Sequence, residues 1–216
     1  MLILVRHGES VANAQGLLLG RTDAELTETG RVQAEAVTSL LLHPVAEVRS
    51  SPLTRARHTA ELLGLGLPVV VDDRWIEVDY GEYECQPLGG IPAEVWQRWQ
   101  SDRGFRPAGG ESLAEVDSRV GAACEELFAS DGAGARQADG DVVVVSHVTP
   151  IKAAVAWALG TTDLYWRLFL KTGSVTRIGW NRDAPILHGY NEVPLAPRHE
   201  VPLAPRAAGT PQSPGA

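Results

Sequence analysis

The chain has 216 residues, of which 44% are hydrophobic, and a formal net charge of −8 at pH 7. This length and apolar content are sufficient for one domain with a full-sized core. The acidic balance disfavours a broad surface for nucleic acid or for an anionic membrane. Any anionic ligand must therefore be bound by a small local cluster of cations.

The N-terminal and cysteine patterns predict the cellular compartment. The apolar run LILV at 2–5 is too short for a signal peptide, and no apolar stretch approaches the roughly 20 residues of a membrane span. The two cysteines, Cys85 and Cys124, match the spacing of neither a zinc site nor a disulfide framework. We expect a soluble cytoplasmic protein with no membrane partner and no nucleic-acid partner.

Apolar runs and helical patterns alternate along the chain. In chain order, they predict a strand at 2–5, a helix at 28–42 capped by Thr27, a strand at 45–49, a helix at 51–63 opened by Ser51 and Pro52, a strand at 68–71, a loop at 75–90, helices at 91–100 and 111–129, a strand at 142–145, a helix at 150–159 opened by Pro150, and strands at 174–180 and 186–190. This alternation predicts an α/β fold with a mostly parallel central sheet.

The C-terminal segment has a different composition, dominated by Pro, Ala and Gly. We therefore place the domain at 1–192 and a tail at 193–216. The tail region contains EVPLAPR at 192–198 and again at 200–206. Two short proline-rich copies are too few for a solenoid, and their composition favours an extended or disordered tail over a partner-binding peptide.

Arg6, His7 and Gly8 directly follow the first predicted strand. Ligands of open α/β sheets bind beyond the carboxyl ends of the strands. At such an edge an arginine offers a planar fork of donors to a phosphate, and a histidine offers a ring nitrogen. A salt-bridged arginine beside a histidine in a turn is the alternative interpretation.

Two further segments place similar side chains at the same edge. His147 follows the strand at 142–145, and Arg55 lies near the start of the helix after the second strand. A histidine can attack phosphorus and carry the phosphoryl group, while arginines and a second imidazole neutralise its oxygens. Such a mechanism requires no metal and no cofactor. The sequence contains no Walker loop and no convincing carboxylate cluster for a two-metal centre.

Phosphoryl transfer to a histidine also needs an acid that protonates the leaving oxygen. The irregular segment that begins at Trp75 offers four carboxylates, and spacing does not choose among them. These are Glu77, Asp79, Glu82 and Glu84.

These segments belong to an ordered set of motifs that resembles the histidine phosphatase superfamily, also called the phosphoglycerate mutase-like family. In order, the motifs are LVRHGES-VAN at 4–13, GRTD at 20–23, LTETG at 26–30, QA at 33–34, SPL at 51–53 with RA at 55–56 and TA at 59–60, EVDYG at 77–81, GGES at 109–112 and VSH at 145–147. An isolated RHG is a weak signal, but this ordered set is highly specific. The resemblance implies a three-layer α/β/α sandwich with a mixed, mainly parallel sheet.

The resemblance implies a role for each matching residue. His7 is implied to be the phosphorylated nucleophile. Glu77 is implied to be the proton donor and later the base that activates water. The implied substrate-binding residues are Arg6, Asn13, Gly20, Arg55 and His147, of which Arg6, Arg55 and His147 line the phosphate pocket.

Departures from the family pattern narrow the expected activity. Mutases of the family carry a threonine where this chain has Leu19 and an arginine where it has Val78, and they carry a long basic insertion after the acid loop. Here only residues 84–110 separate the acid loop from the GES motif. We therefore expect a metal-independent phosphomonoester hydrolase that acts through phosphohistidine on a small phosphorylated metabolite. A cofactor-dependent phosphoglycerate mutase and a non-catalytic phosphate-binding module are the alternatives.

The residues that select the substrate are predicted less sharply. Segment 84–110, with Trp96, Trp99 and Arg103, is where specificity is expected, although a core position is the default for a tryptophan. Lys152 near the start of a helix is expected to be exposed, with a substrate contact as the alternative. The sequence predicts neither the individual substrate nor the oligomeric state.

Overall fold

The computed structural model describes residues 1–129, 140–162, 164–181 and 184–194. The strands are β1 (Leu2–Arg6), β2 (Val45–Ser50), β3 (Val69–Val71), β4 (Asp141–Ser146), β5 (Val175–Asn181) and β6 (Ala184–Glu192). The helices are α1 (Val11–Ala14), α2 (Glu28–Val37), α3 (Thr54–Leu62), α4 (Ala93–Ser101), α5 (Leu113–Ala129) and α6 (Val148–Ala158). None of the helices in these ranges is long and apolar enough to cross a membrane.

The six strands form one mixed sheet in the order β3-β2-β4-β1-β5-β6. The first four are parallel, whereas β5 runs antiparallel to β1 and β6 antiparallel to β5. In the central pair, Arg6 of β1 lies opposite Ser146 of β4. The loops that follow these two strands therefore leave the sheet at the same level of the same edge. The predicted α/β fold with a mixed, mainly parallel sheet is confirmed.

The run LILV is apolar throughout because helices cover both faces of the sheet. Leu2 and Leu4 pack in a core cluster with residues of α5 and α6, whereas Ile3 and Val5 pack with residues of α2 and α3. All four side chains are at most 2% exposed. Burying each contributes about 1.5–3 kcal/mol, so β1 anchors both layers of the sandwich.

Several element boundaries differ from those the sequence predicts. Helix α3 begins at Thr54 with Leu53 as its N-cap, so the prediction that Ser51 and Pro52 open this helix was wrong. Ser51 instead uses its hydroxyl at the candidate site described below. Helix α6 begins at Val148, two residues before Pro150. A proline is tolerated there because the first N–H groups of a helix have no intrahelical partner.

Two other predicted features agree with the structure, and a third concerns residues almost wholly outside the described ranges. Thr27 caps α2 by accepting a hydrogen bond from the N–H of Gly30 at 3.0 Å. The stretch 75–90 is irregular apart from short 3-10 turns. The described chain ends two residues after β6, so the prediction of an extended tail concerns residues that lie almost wholly outside the described ranges.

Two glycines allow the first turn of α2 to lie against the loop after β1. A Cβ atom at Gly8 would lie 2.1 Å from the carbonyl oxygen of Gly30, and a Cβ atom at Gly30 would lie 2.0 Å from the carbonyl oxygen of Glu9. Both neighbours are backbone atoms, which cannot rotate away as a flexible side chain can. The close approach of these two segments therefore requires glycine at both positions.

We expect Gly30→Ala to lower the free energy of unfolding by about 1–3 kcal/mol, because the added methyl group overpacks a backbone contact. The matched control is Gly121→Ala within α5, where the nearest atom would lie at an ordinary 3.8 Å. Helix propensity predicts that this control stabilises the protein by up to about 1 kcal/mol. Urea unfolding measures both changes, and equal stabilisation by the two substitutions would contradict the packing described here.

Candidate active site

His7 lies one residue beyond the end of β1, and neighbouring segments fix its backbone. Its N–H donates to the carbonyl of Ser146 at 3.0 Å, and the N–H of Gly173 donates to the carbonyls of Arg6 and His7, both at 3.1 Å. The residue is only 3% exposed. The histidine is therefore held between β4 and the loop that precedes β5.

The imidazole of His7 is held in one tautomer. Its Nδ1 lies 2.7 Å from the carbonyl oxygen of Gly8. Because a carbonyl only accepts hydrogen bonds, Nδ1 carries the proton and Nε2 keeps its lone pair. Gly8 is itself fixed, since its N–H donates to Oγ1 of Thr59 in α3 at 3.1 Å. Nε2 is thus the nucleophilic atom of this ring.

A second imidazole, that of His147, lies beside the first. The ring centroids of His7 and His147 are 5.0 Å apart, with the planes at 60°. Nε2 of the fully buried His147 lies 2.7 Å from Oγ of Ser51, the residue that follows β2. Its Nδ1 is buried and has no hydrogen-bond partner within the described ranges. The two strand-end histidines are therefore brought together, as the sequence predicts.

Arg6 and Arg55 bring positive charge to the same place. Arg6 donates to the carbonyl of Leu170 at 2.5 Å, and Arg55 donates to the carbonyls of Thr22 at 3.0 Å and Gly20 at 2.6 Å. Carbonyl oxygens orient a guanidinium without neutralising its charge. Nε of each arginine is buried and lacks a partner in the part of the chain that the structure describes. Such oriented cations with spare donors are suited to an anion.

Burial and these guanidiniums set the protonation of the site. Burial lowers the pKa of Arg6 to about 10 and also lowers the pKa of Arg55. Burial, reinforced by the charge on Arg55, lowers the pKa of both His7 and His147 well below its ordinary value. At neutral pH the arginines are therefore charged and both imidazoles are neutral.

Glu77 is buried at the N-terminus of α6. The residue is 4% exposed, and its Oε1 accepts a hydrogen bond from the N–H of Val78 at 2.8 Å. Both carboxylate oxygens also face the N–H of Thr149 in the first turn of α6, at 3.3 and 3.4 Å. Its charge acts on both Arg6 and Arg55. The carboxylate therefore shares the electrostatic environment of the two arginines.

The other three carboxylates of the acid loop are engaged elsewhere. Asp79 accepts from the N–H of Gly81 at 2.9 Å, and Glu82 is exposed. Glu84 accepts from the N–H groups of residues 20, 21 and 22 at 2.9–3.2 Å, so it organises the segment that supports Arg55. Cys85 has a φ of +60°, in the left-handed region that glycine adopts most easily.

Asn13 and Gly20 have protein partners. Oδ1 of Asn13 accepts from the N–H and the hydroxyl of Ser10 at 3.1 and 3.0 Å, which closes the N-cap of α1. Gly20 receives Arg55 at its carbonyl and donates its N–H to Glu84. The structure thus shows supporting contacts for these two residues, and their contact with substrate stays a prediction.

Three hydroxyl-bearing residues belong to the site although the sequence did not single them out. Ser51 contacts His147, Thr59 contacts Gly8, and the N–H of Thr149 faces Glu77. Ser51 and Thr59 lie inside motif segments, and Thr149 lies two residues after the motif that ends at His147, which is the signal that could have found them. Within the described ranges, no group of three or more His, Cys, Asp or Glu side chains is arranged to hold a metal ion.

The residues near segment 84–110 divide between core and surface. Trp99 is 2% exposed and belongs to a core cluster, which confirms the default expectation for that tryptophan, whereas Trp96 is half-buried. Lys152 is half-buried rather than exposed, so that expectation was wrong. Its Nζ donates to the carbonyl of Tyr165 at 2.7 Å, a partner 13 residues away that helix periodicity does not reveal.

We expect Arg55→Gln to raise the pKa of His7 and His147, because the charge on Arg55 disfavours the imidazolium form of both rings. NMR titration of the imidazole nitrogens measures this shift. In the unchanged protein both rings remain neutral at pH 6.5. In the Arg55→Gln variant the two imidazoles become protonated at a higher pH than they do in the unchanged protein. The matched control is Arg57→Gln, an exposed arginine on the same helix, which leaves both titrations unchanged. Equal shifts in the two variants would contradict this electrostatic picture.

Comparison with known proteins identifies the family of this chain. The family model of the histidine phosphatase superfamily (branch 1) matches residues 2–193. A bifunctional protein of Mycobacterium tuberculosis is 35% identical over 184 residues, which are 81% of this chain and 49% of that protein. The chain thus spans about half the length of this relative. Phosphoserine phosphatase 1 of Hydrogenobacter thermophilus is 36% identical over 172 residues, 74% of this chain and 76% of that protein.

A solved structure shows the same fold. A mycobacterial glucosyl-3-phosphoglycerate phosphatase in complex with VO3 superposes with a TM-score of 0.78 at 31% identity, covering 88% of this chain and 98% of that one. The match to the family model covers nearly all the described residues, and the relatives carry the same fold. This chain therefore belongs to the histidine phosphatase superfamily.

Proposed function

We propose that this protein is a phosphomonoester hydrolase that acts on a small phosphorylated metabolite through a phosphohistidine at His7. One observation carries the proposal: the Gly8 carbonyl leaves the lone pair of the His7 imidazole on Nε2, and this ring lies within the electrostatic influence of Arg6 and Arg55, whose guanidiniums donate to backbone carbonyls. Relatives named as phosphatases support the same activity. The cytoplasm, where phosphorylated metabolites are made and used, is the proposed location.

In the first half-reaction, Nε2 of His7 attacks phosphorus and forms a phosphorus–nitrogen bond. The bond from phosphorus to the leaving oxygen breaks, and Glu77 gives its proton to that oxygen, so the alcohol departs neutral. The spare donors of Arg6, Arg55 and His147 bind the non-bridging oxygens, on which negative charge is concentrated.

In the second half-reaction, the Glu77 carboxylate takes a proton from a water molecule that attacks the phosphohistidine. The phosphorus–nitrogen bond breaks, His7 recovers its lone pair and inorganic phosphate is released. Asn13 and the backbone of Gly20 belong to the proposal as groups that face the substrate. Asn13 caps the helix after the nucleophile and the carbonyl of Gly20 accepts a hydrogen bond from Arg55, and these contacts support this part of the proposal.

A buried valine at position 78 favours hydrolysis over a mutase reaction. Val78 is 1% exposed and packs in the core, so this position projects no cation toward a second acidic group of the substrate. The two activities separate in an assay with 3-phosphoglycerate, in which a mutase forms the 2-isomer faster than it releases phosphate.

We expect His7→Ala to abolish both phosphate release and covalent labelling, because no other group in the proposed mechanism carries the phosphoryl group. Alkaline quenching after incubation with a ³²P-labelled phosphomonoester measures the labelling, since phosphohistidine survives base. The matched control is His188→Ala, which alters an exposed histidine of β6 and keeps full labelling. Turnover by the His7→Ala protein would overturn the mechanism, and lack of labelling and turnover in the unchanged protein would favour a phosphate-binding module.

We expect Glu77→Gln to lower kcat for glycerol 3-phosphate by about 100-fold or more, the usual contribution of a general acid. The first-step loss for p-nitrophenyl phosphate is much smaller, because p-nitrophenolate leaves without a proton. Rapid-mixing kinetics separates this step from the later attack of water. Glu82→Gln is the matched control and leaves the rates for both substrates unchanged. Equal first-step losses for the two substrates in Glu77→Gln would show that another group donates the proton.

A further inference from the structure

A small cavity of about 130 Å³ lies at the N-terminal end of α6. Thr149, whose N–H faces the Glu77 carboxylate, forms part of its wall. Tyr80 forms another part, and Glu77 lies close enough to contribute, after burial, to the raised pKa of this phenol. Two residues of the cavity wall therefore belong to the surroundings of the proposed proton donor.

The position of the proton donor decides which space receives the alcohol half of the substrate. A general acid must lie within hydrogen-bond reach of the oxygen that it protonates, so the group attached to that oxygen occupies space near the acid. A larger groove of about 760 Å³ is lined by Arg6, α2 and residues 169–173, but not by Thr149 or Tyr80. The small cavity, rather than this groove, is thus the place for the leaving alcohol.

Aromatic rings form much of the cavity wall and hold each other in place. The buried Trp99 packs against Tyr80 and Trp96, with ring centroids 5.5 and 5.4 Å apart. Trp96 in turn contacts Trp166 at 6.0 Å, edge to face. Trp166 is 45% exposed, so its indole offers surface to a ligand. Flat, rigid rings favour a ligand with a flat face.

Lys152 supplies the polar contact. It lies in α6 three residues after Thr149, so both side chains emerge on the same face of the helix. Nζ donates to the carbonyl of Tyr165, and an ammonium has two further N–H donors. Burial lowers the pKa of this lysine, and the charge of Glu77 opposes that shift. The ammonium is thus near the acid and able to donate to an oxygen of a ligand in the cavity.

We propose that this cavity binds the leaving alcohol as a sugar ring, which lies against Trp96 and Trp166 and accepts a hydrogen bond from Lys152. The substrate class is then a furanose or pyranose phosphate, free or as part of a nucleotide, rather than a three-carbon phosphorylated acid. This inference rests on the proposed function, because it places the leaving group by the position of Glu77.

The test compares esters of primary alcohols, so that leaving-group chemistry is matched. The substrates are ribose 5-phosphate and glucose 6-phosphate, which carry rings, and glycerol 3-phosphate and phosphoserine, which do not. We expect kcat/KM for at least one sugar phosphate to exceed that for both ringless esters tenfold or more. Lys152→Met and Trp166→Ala each lower kcat/KM for this sugar phosphate about tenfold by raising KM. The same substitutions change kcat/KM for glycerol 3-phosphate by less than twofold.

Two controls are matched in residue type. Lys171→Met and Phe169→Ala alter the larger groove and leave kcat/KM unchanged for all four substrates. A preference for phosphoserine that Lys152→Met removes would assign the lysine to a carboxylate and overturn the sugar-ring proposal. Equal losses on glycerol 3-phosphate and the sugar would also overturn it. Failure of the proposed function is a distinct result, in which none of the four substrates is hydrolysed and no phosphoenzyme forms.

Discussion

The parallel pairing of β1 with β4 is the constraint on which the rest of the site depends. Because Arg6 lies opposite Ser146, the histidine after each strand leaves the sheet at the same level, and the two imidazoles stand 5.0 Å apart. Slipping this register by one residue would turn the apolar side chains of each strand to the wrong face. The cores on both faces of the sheet therefore enforce the alignment of the two histidines.

Positive charge that is oriented by backbone carbonyls is the second property of the site. Arg6 and Arg55 donate hydrogen bonds to carbonyl oxygens through their terminal nitrogens. The Nε atoms of both arginines and Nδ1 of His147 have no hydrogen-bond partner within the described ranges. A buried donor without a partner costs about 1–3 kcal/mol. An anion with several oxygens removes this cost, so the arrangement that strains the fold also favours a phosphoryl group. Burial, reinforced by the same charges, lowers the pKa of His7 and keeps its imidazole neutral and able to attack.

The sequence predicts the central strands and the histidines well because their signals are local. Four apolar residues directly precede Arg6 and four directly precede Ser146, which indicates strands covered on both faces, and ligand groups gather at the ends of such strands. The acid is different: spacing left Glu77 open among four carboxylates, because burial at the start of α6 depends on a residue 72 positions away. Only the family resemblance selected it.

The two wrong predictions, for Ser51 and Lys152, have equally specific causes. Ser51 before a proline is typical of a helix cap, but its hydroxyl binds His147, so α3 begins three residues later. The sequence around Lys152 is typical of a solvated helix face, but its Nζ donates to the carbonyl of Tyr165, which lies on a later segment of the chain. Both errors come from partners that are distant in sequence, which is where local patterns carry no information.

A crystal structure with orthovanadate, which adopts the five-coordinate geometry of phosphorus during transfer, shows directly whether His7 is the nucleophile. We expect vanadium bound to Nε2 of His7, with its oxygens accepting hydrogen bonds from Arg6, Arg55 and His147. Vanadate bound to Nδ1 of His147, or held away from both histidines, would contradict it.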